Sequence, residues 1–368
     1  MKFFTESREE MLATLEAMVS VESPSTDKHQ LDLMVNLLKE KFSGISNLGC
    51  EVIPHDVYGN VLRCVLNPDG DDQVLLVGHY DTVFPVGTLS RMHVRREDDR
   101  LYGPGAFDMK GGIVQALFAL RYCSKNMNAS RKIVFLITGD EEIESTFSRS
   151  IIIEEAKRSR YALVLEPSLA GKLKTERKGV ATVYLKVTGR SAHAGLDPEK
   201  GINAIYEMSG IIEKIRRYSG KNSLMVNVDK IRGGTRSNVI PDSCEIEIDI
   251  RFSEDSEFES FINYLESLEL ENNGASKSIS FNKRGSLKKS RESVELFSNI
   301  RDVARGLDME IQEASVSGGS DASYTSKFCP TIDGLGAVGG GAHSSDEHVL
   351  IHTLPERAAL LASILMNI

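Results

Sequence analysis

Several short apolar runs of this chain end in residues that bind cations or move protons. "QVLLVGH" (73–79) ends on His79, with Asp81 two positions on. "KIVFLIT" (132–138) leads to the adjacent Glu141 and Glu142, and "YALVL" (161–165) leads to Glu166. Asp108 closes "LYGPGAF", just ahead of Lys110-Gly111-Gly112, and His343 stands in the Gly-rich "GAVGGGAHSSDEHV". Each signal alone has a plainer reading. An aspartate before a helix is commonly its N-cap, and a loop histidine is commonly a solvated side chain. Together they point to one site, because ligands of open α/β sheets gather beyond the carboxyl ends of the strands. Imidazoles and carboxylates suit zinc or another first-row divalent ion. Two histidines and three carboxylates exceed one tetrahedral zinc and match two metals, ~3.5–4 Å apart, sharing a carboxylate. Neighbouring residues of an extended chain point to opposite sides. Glu141 and Glu142 can therefore hold different jobs, one at a metal and one at a proton.

The elements that must position these residues are legible in the apolar pattern. Residues 6–20 and 27–42 have amphipathic helical spacing, as does "MKGGIVQALFALRYCSK" (109–125). The short uninterrupted apolar runs between such helices fit strands buried on both faces. Alternating strands and helices predict an α/β layered domain. The middle of the chain differs. "ATVYLKVT" (181–188) alternates apolar and polar, as do Ile246, Ile248 and Ile250 against Glu245, Glu247 and Asp249. Strict alternation marks strands with one wet face. With helices at about 202–218 and 254–270, residues 180–285 read β-α-β-β-α-β, the ferredoxin-like split βαβ pattern. The expected organisation is a catalytic domain of residues 1–178 and 287–368, interrupted by a smaller domain at 179–286.

Composition excludes some partners. The chain has 368 residues, 41% hydrophobic, and a formal net charge of −9. That charge lacks the basic footprint of a nucleic-acid binder. No apolar stretch approaches the roughly 20 residues of a membrane span. The N-terminus "MKFFTESREE" has no apolar signal-peptide core. Cys50, Cys64, Cys123, Cys244 and Cys329 are widely spaced and odd in number, which predicts reduced, mostly buried thiols. The expected location is cytoplasmic.

The chain resembles the di-zinc metallopeptidases that include glutamate carboxypeptidases, aminoacylases and succinyl-diaminopimelate desuccinylase. The matching pieces, in the family's order, are "GHYDTVFP", "LYGPGAFDMKGG", "TGDEEIEST", "LEPS", "GRSAHAG", "GGTRSNVIPD", "SGGSDAS" and "GAHSSDEHV". The resemblance implies an α/β/α zinc-peptidase domain with an inserted lid that also mediates dimerisation. It implies that His79 and His343 each bind one metal, that Asp108 bridges both, and that Glu142 and Glu166 each complete one shell. Asp81 would orient His79, since a ligating imidazole usually gives its other N–H to a carboxylate. Glu141 would be the general base, and the Asp108–Met109 peptide bond would be cis. In the lid, His193 would stabilise an oxyanion across the dimer and Asn238 would lie near substrate; a plain turn residue is the alternative for each. Arg251 and Arg236 are the candidate cations for a substrate carboxylate, since a planar fork suits that group. Gly318 and Gly319 would let backbone approach the ligand, or simply make a turn. One departure stands out: Glu144, in "IESTFSRS", occupies a position where many relatives have glycine.

The implied activity is metal-dependent hydrolysis of a small peptide or N-acyl amino acid with release of a C-terminal amino acid, glutamate carboxypeptidase-like. Water activated by two zinc ions, or cobalt or manganese in their place, would be the nucleophile. The alternatives are an aminoacylase or desuccinylase and, from another class, a non-catalytic metal- or peptide-binding homologue. The expected partners are substrate and a second copy of the chain, with no nucleic acid and no membrane.

Overall fold

A computed structural model describes residues 1–127, 131–218 and 223–368. The chain divides into two compact units, one of Met1–Glu176, Leu287–Val316 and Ser320–Ile368, the other of Arg177–Ser286 and Ser317–Gly319. The short segment 317–319 joins the second unit because Arg177 Nη1 donates to the carbonyls of Gly318 (3.0 Å) and Gly319 (2.8 Å).

The first unit is built on a six-stranded sheet. Its order is Leu48–Ile53, Val61–Leu66, Arg131–Thr138, Asp72–His79, Tyr161–Val164 and Thr331–Ile332. The last four run parallel and the first two form an antiparallel edge. The central strands are apolar in runs because both faces are covered, which is the signature of a sheet with helices on each side. Register decides what the strand ends share. His79 pairs with Thr138, and Val77 pairs with Val164, so residues 79–81, 140–142 and 166 emerge at one level. The helix Gly111–Asn126 is buried on nearly all sides against this sheet and the helix Thr353–Asn367. Gly112 allows that approach, because a Cβ there would collide with the Leu165 carbonyl.

The second unit is a four-stranded antiparallel sheet in the order Met225–Gly233, Ser243–Phe252, Gly179–Thr188, Ser276–Arg284. Helices Ala204–Arg216 and Asp255–Ser267 cover one face through Met208, Ile211, Phe258 and Phe261, which pack on Val183, Leu185, Ile246 and Ile248. Residues on the alternate positions, such as Tyr184, stay exposed. This is the β-α-β-β-α-β arrangement that the alternation predicts.

Cysteine pairing departs from the expectation of reduced thiols. Cys50 and Cys64 form a disulfide, while Cys123, Cys244 and Cys329 are free and buried. The antiparallel register sets Cys50 directly opposite Cys64, a proximity that wide spacing in sequence conceals. Burial pushes the Cys123 and Cys329 thiols up to about 12. No helix among the described residues is long and apolar enough to cross a membrane.

Candidate active site

The strand ends of the first unit bring together His79, Asp81, Asp108, Glu141, Glu142, Glu166 and, from its distant loop, His343. His79 Nε2 lies 3.3 Å from Asp108 Oδ1 and 3.6 Å from Glu166 Oε1. His343 Nε2 lies 3.4 Å from Asp108 Oδ2 and 3.0 Å from Glu142 Oε1. The two oxygens of Asp108 therefore face different histidines. Asp108 is not a helix cap: the helix begins after it, Lys110 occupies the N-cap position, and no side chain caps there. Its backbone lies in an irregular turn with a cis peptide bond to Met109.

Asp81 serves two neighbours at once. His79 Nδ1 is 3.1 Å from the Asp81 carbonyl and 3.4 Å from its carboxylate. The same carboxylate accepts the backbone N–H of Glu141 (3.2 Å) and of Glu142 (3.1 Å), and the hydroxyl of Ser25 (2.7 Å). It thus holds the imidazole and the peptide groups of the glutamate pair in one arrangement. Asp140, just before the pair, accepts from the N–H of Phe147 (2.7 Å) and Ser148 (3.1 Å) at the start of the helix Ser148–Ala156. Glu144 follows in a left-handed conformation, φ +72°. That is why glycine is at home at this position.

Five carboxylates against two imidazoles leave this cluster short of positive charge. Burial opposes a charged His79, yet hydrogen bonds to Asp108, Asp81 and Glu166 hold its proton affinity well above the ordinary value. Asp108 and Glu142 push His343 up to about 10. Burial raises Glu142 to about 7 against the pull of His343. For Asp108 burial also works upward, but the two histidines outweigh it and hold the carboxyl low. Two groups of donor atoms lie within 4.8 Å of one another: His79, Asp108 and Glu142, and His79, Glu141 and Glu166. Oxygen and imidazole donors so close, with excess negative charge, fit divalent cations.

Sequence reasoning passed over Glu347, which is fully buried behind Asp108. Its carboxylate accepts from the backbone N–H of Gly105 (3.1 Å), Phe107 (2.9 Å) and Asp108 (2.9 Å). Its only signal was an acidic residue four places after His343. His348 and His352 stay outside the cluster: His348 sits in a short strand and His352 pairs with Asp99.

The second unit holds the other predicted residues. Residues 192–194 pair with 238–240, so His193 and Asn238 lie on adjoining segments. His193 Nδ1 accepts from the N–H of Gly195 and of Leu196, both at 3.1 Å. In the neutral ring the proton then sits on Nε2, and the exposed ring offers a donor. Arg251 Nε donates to Asp249 Oδ2 at 2.9 Å, and Arg236 is exposed. Gly318 and Gly319 turn their carbonyls to Arg177, as described above.

An α/β unit with a histidine–carboxylate cluster at its strand ends, interrupted by a ferredoxin-like unit, fits a metal-dependent hydrolase. Residues 75–367 match Peptidase family M20/M25/M40, and the chain belongs to that family. It is 30% identical to carboxypeptidase G2 of a Pseudomonas species, over 99% of this chain and 90% of that protein. It is 31% identical to the succinyl-diaminopimelate desuccinylase of Shewanella piezotolerans, over 79% of this chain and 81% of that one. Its fold is also that of a dinuclear metal-binding M20 peptidase from Bacillus subtilis, with TM-score 0.68, 12% identity and 98% coverage of both chains.

Proposed function

We propose that this protein hydrolyses the amide bond of a small peptide or N-acyl amino acid and releases the C-terminal amino acid, as a carboxypeptidase of the G2 kind. The observation that carries this reading is the division of the Asp108 carboxylate between His79 and His343. His79 and Glu166 would hold one divalent ion, His343 and Glu142 a second, and Asp108 both. Bound there, the ions supply Lewis acidity, which acidifies water and polarises a carbonyl. Zinc is the proposed metal; cobalt and manganese suit the same donors.

Glu141 would take the proton of the attacking water on its carboxylate and pass it to the leaving nitrogen. Its backbone is held by Asp81, so the base and the neighbouring ligand Glu142 keep a constant separation. The second unit would serve as lid and as the contact surface of a homodimer. His193 would donate through Nε2 to the developing oxyanion of the partner subunit's reaction. Asn238, Arg236 and Arg251 are the proposed substrate contacts, an arginine taking the terminal carboxylate. The Arg177 contacts of Gly318 and Gly319 favour a packing duty for those two residues. A cytoplasmic location belongs to this proposal, and it asks Cys50 and Cys64 to exist as a dithiol there.

Deacylation of an N-succinyl or other N-acyl amino acid is the second reading, favoured by the identity to the Shewanella desuccinylase. A panel of dipeptides and N-acyl amino acids, with Zn²⁺ or Co²⁺ added, separates the two. Glu141→Gln is expected to lose about 10²–10⁴-fold in turnover while keeping two ions per chain. Near-normal turnover would remove Glu141 from its role. Turnover confined to N-succinyl substrates would replace the first reading with the second.

A further inference from the structure

Glu347 is fully buried, and the hydrogen bonds of its carboxylate found among the described residues go to no imidazole. Its carboxylate instead gathers three backbone N–H groups of one turn: Oε2 takes Gly105, and Oε1 takes Phe107 and Asp108. Converging peptide donors of this kind bind an anion better than a neutral acceptor. The backbone of Glu347 is tied to the same turn, since its carbonyl accepts from Gly103 N–H at 3.1 Å. The next residues, His348–Leu350, pair with Arg100–Tyr102 just before that turn. Upstream, the loop from Gly341 to Glu347 closes on itself through Ser344 N–H to Gly341 O (2.9 Å) and Glu347 N–H to Ser344 O (3.3 Å). Gly341, at φ +74°, packs against Asp346 and Glu347 so closely that a Cβ would collide with them. His343 is carried on that closed loop.

We propose that Glu347 is a positioning residue that locks the Asp108 turn to the His343 loop and so sets the separation of these two metal ligands. This rests on the reading of Asp108 and His343 as ligands. The lock acts through the backbone. The side chain of Asp108 leaves its Cα toward both histidines while its N–H is pinned from behind by Glu347. The ion held by Asp108, Glu142 and His343 depends on both ends of the lock, whereas the ion held by His79, Asp108 and Glu166 depends on one. Loss of Glu347 therefore weakens the first ion more. A glutamine at 347 keeps the shape and one acceptor oxygen but sets an amide donor against the Gly105 N–H.

The test titrates Zn²⁺ into metal-free wild type and E347Q against a chromophoric chelator, with D346N as a control from the same loop. Wild type and D346N are expected to bind two ions alike. In E347Q the dissociation constant of the weaker ion is expected to rise about 10–100-fold, the usual effect of losing a group that orients a ligand. At limiting Zn²⁺ kcat falls in step with unchanged KM, and saturating Zn²⁺ restores it. A lower melting temperature with both dissociation constants unmoved would mean a purely structural role and overturn the proposal. Failure of wild type itself to bind two ions would overturn the ligand reading, and this proposal with it. If E347Q does not fold, E347D keeps the charge one methylene short, and unmoved metal affinity there is equally fatal.

Discussion

The strand ends of the first unit and the loops of the second hold their polar residues in opposite ways. In the first unit His79 and Asp81 are buried, and each has partners from other segments of the chain. In the second unit His193, Arg236 and Asn238 are exposed, and the hydrogen bonds to the His193 ring come from its own turn. A cluster that must hold ions at constant spacing needs ligands fixed by their surroundings. Groups that meet substrate need only present a donor or a charge, and exposed loops on a rigid sheet can vary without disturbing the core. With the roles proposed above, metal binding and substrate contact fall on separate sets of residues in this protein.

Three substitutions probe that separation. The largest effect is expected in the second unit. His193→Asn keeps a side-chain acceptor for the turn amides and removes the ring donor. Turnover should fall about 10²–10³-fold, the range for losing an oxyanion donor, with metal content and melting temperature unchanged. Loss of metal in this variant, read by elemental analysis, would show that His193 also supports metal binding. Mixing it with Glu141→Gln should restore part of the activity in hybrid dimers, which sharpens the intersubunit assignment. Next comes Asp81→Asn, which sets amide hydrogens against the N–H groups of Glu141 and Glu142. About 10–100-fold loss in metal affinity or activity is expected; a normal metal titration and normal turnover would show that Asp81 is dispensable. The smallest effect belongs to Glu144→Gly. Relief of the left-handed backbone is worth about 1–2 kcal/mol, offset by about 0.4–1 kcal/mol of added unfolded-state entropy. Thermal melting should show a small gain, with turnover unchanged.

Much of the site was legible beforehand because strand ends advertise themselves. An apolar run that stops at a polar residue marks both the strand and the place where its chain surfaces, and the parallel register aligned three such stops. The alternation of 181–188 and 245–250 likewise marked the second sheet. Two features had no comparable signal. Glu347 looks like one more charge in a polar loop, and its importance arises from peptide groups some 240 residues away in sequence. Cys50 and Cys64 looked unrelated until the hairpin register set them opposite each other.

By itself, then, the sequence determined which residues are of the types that suit cation chemistry, which elements deliver them, and that a half-wet sheet interrupts a doubly covered one. These follow from periodicity and residue type, which are local properties. Only the tertiary structure decided that the Asp108 carboxylate divides between two histidines, that Asp81 holds the backbone of both glutamates, and that Glu347 pins the turn behind Asp108. Those depend on hydrogen bonds between segments far apart in the chain, whose distances no local pattern encodes.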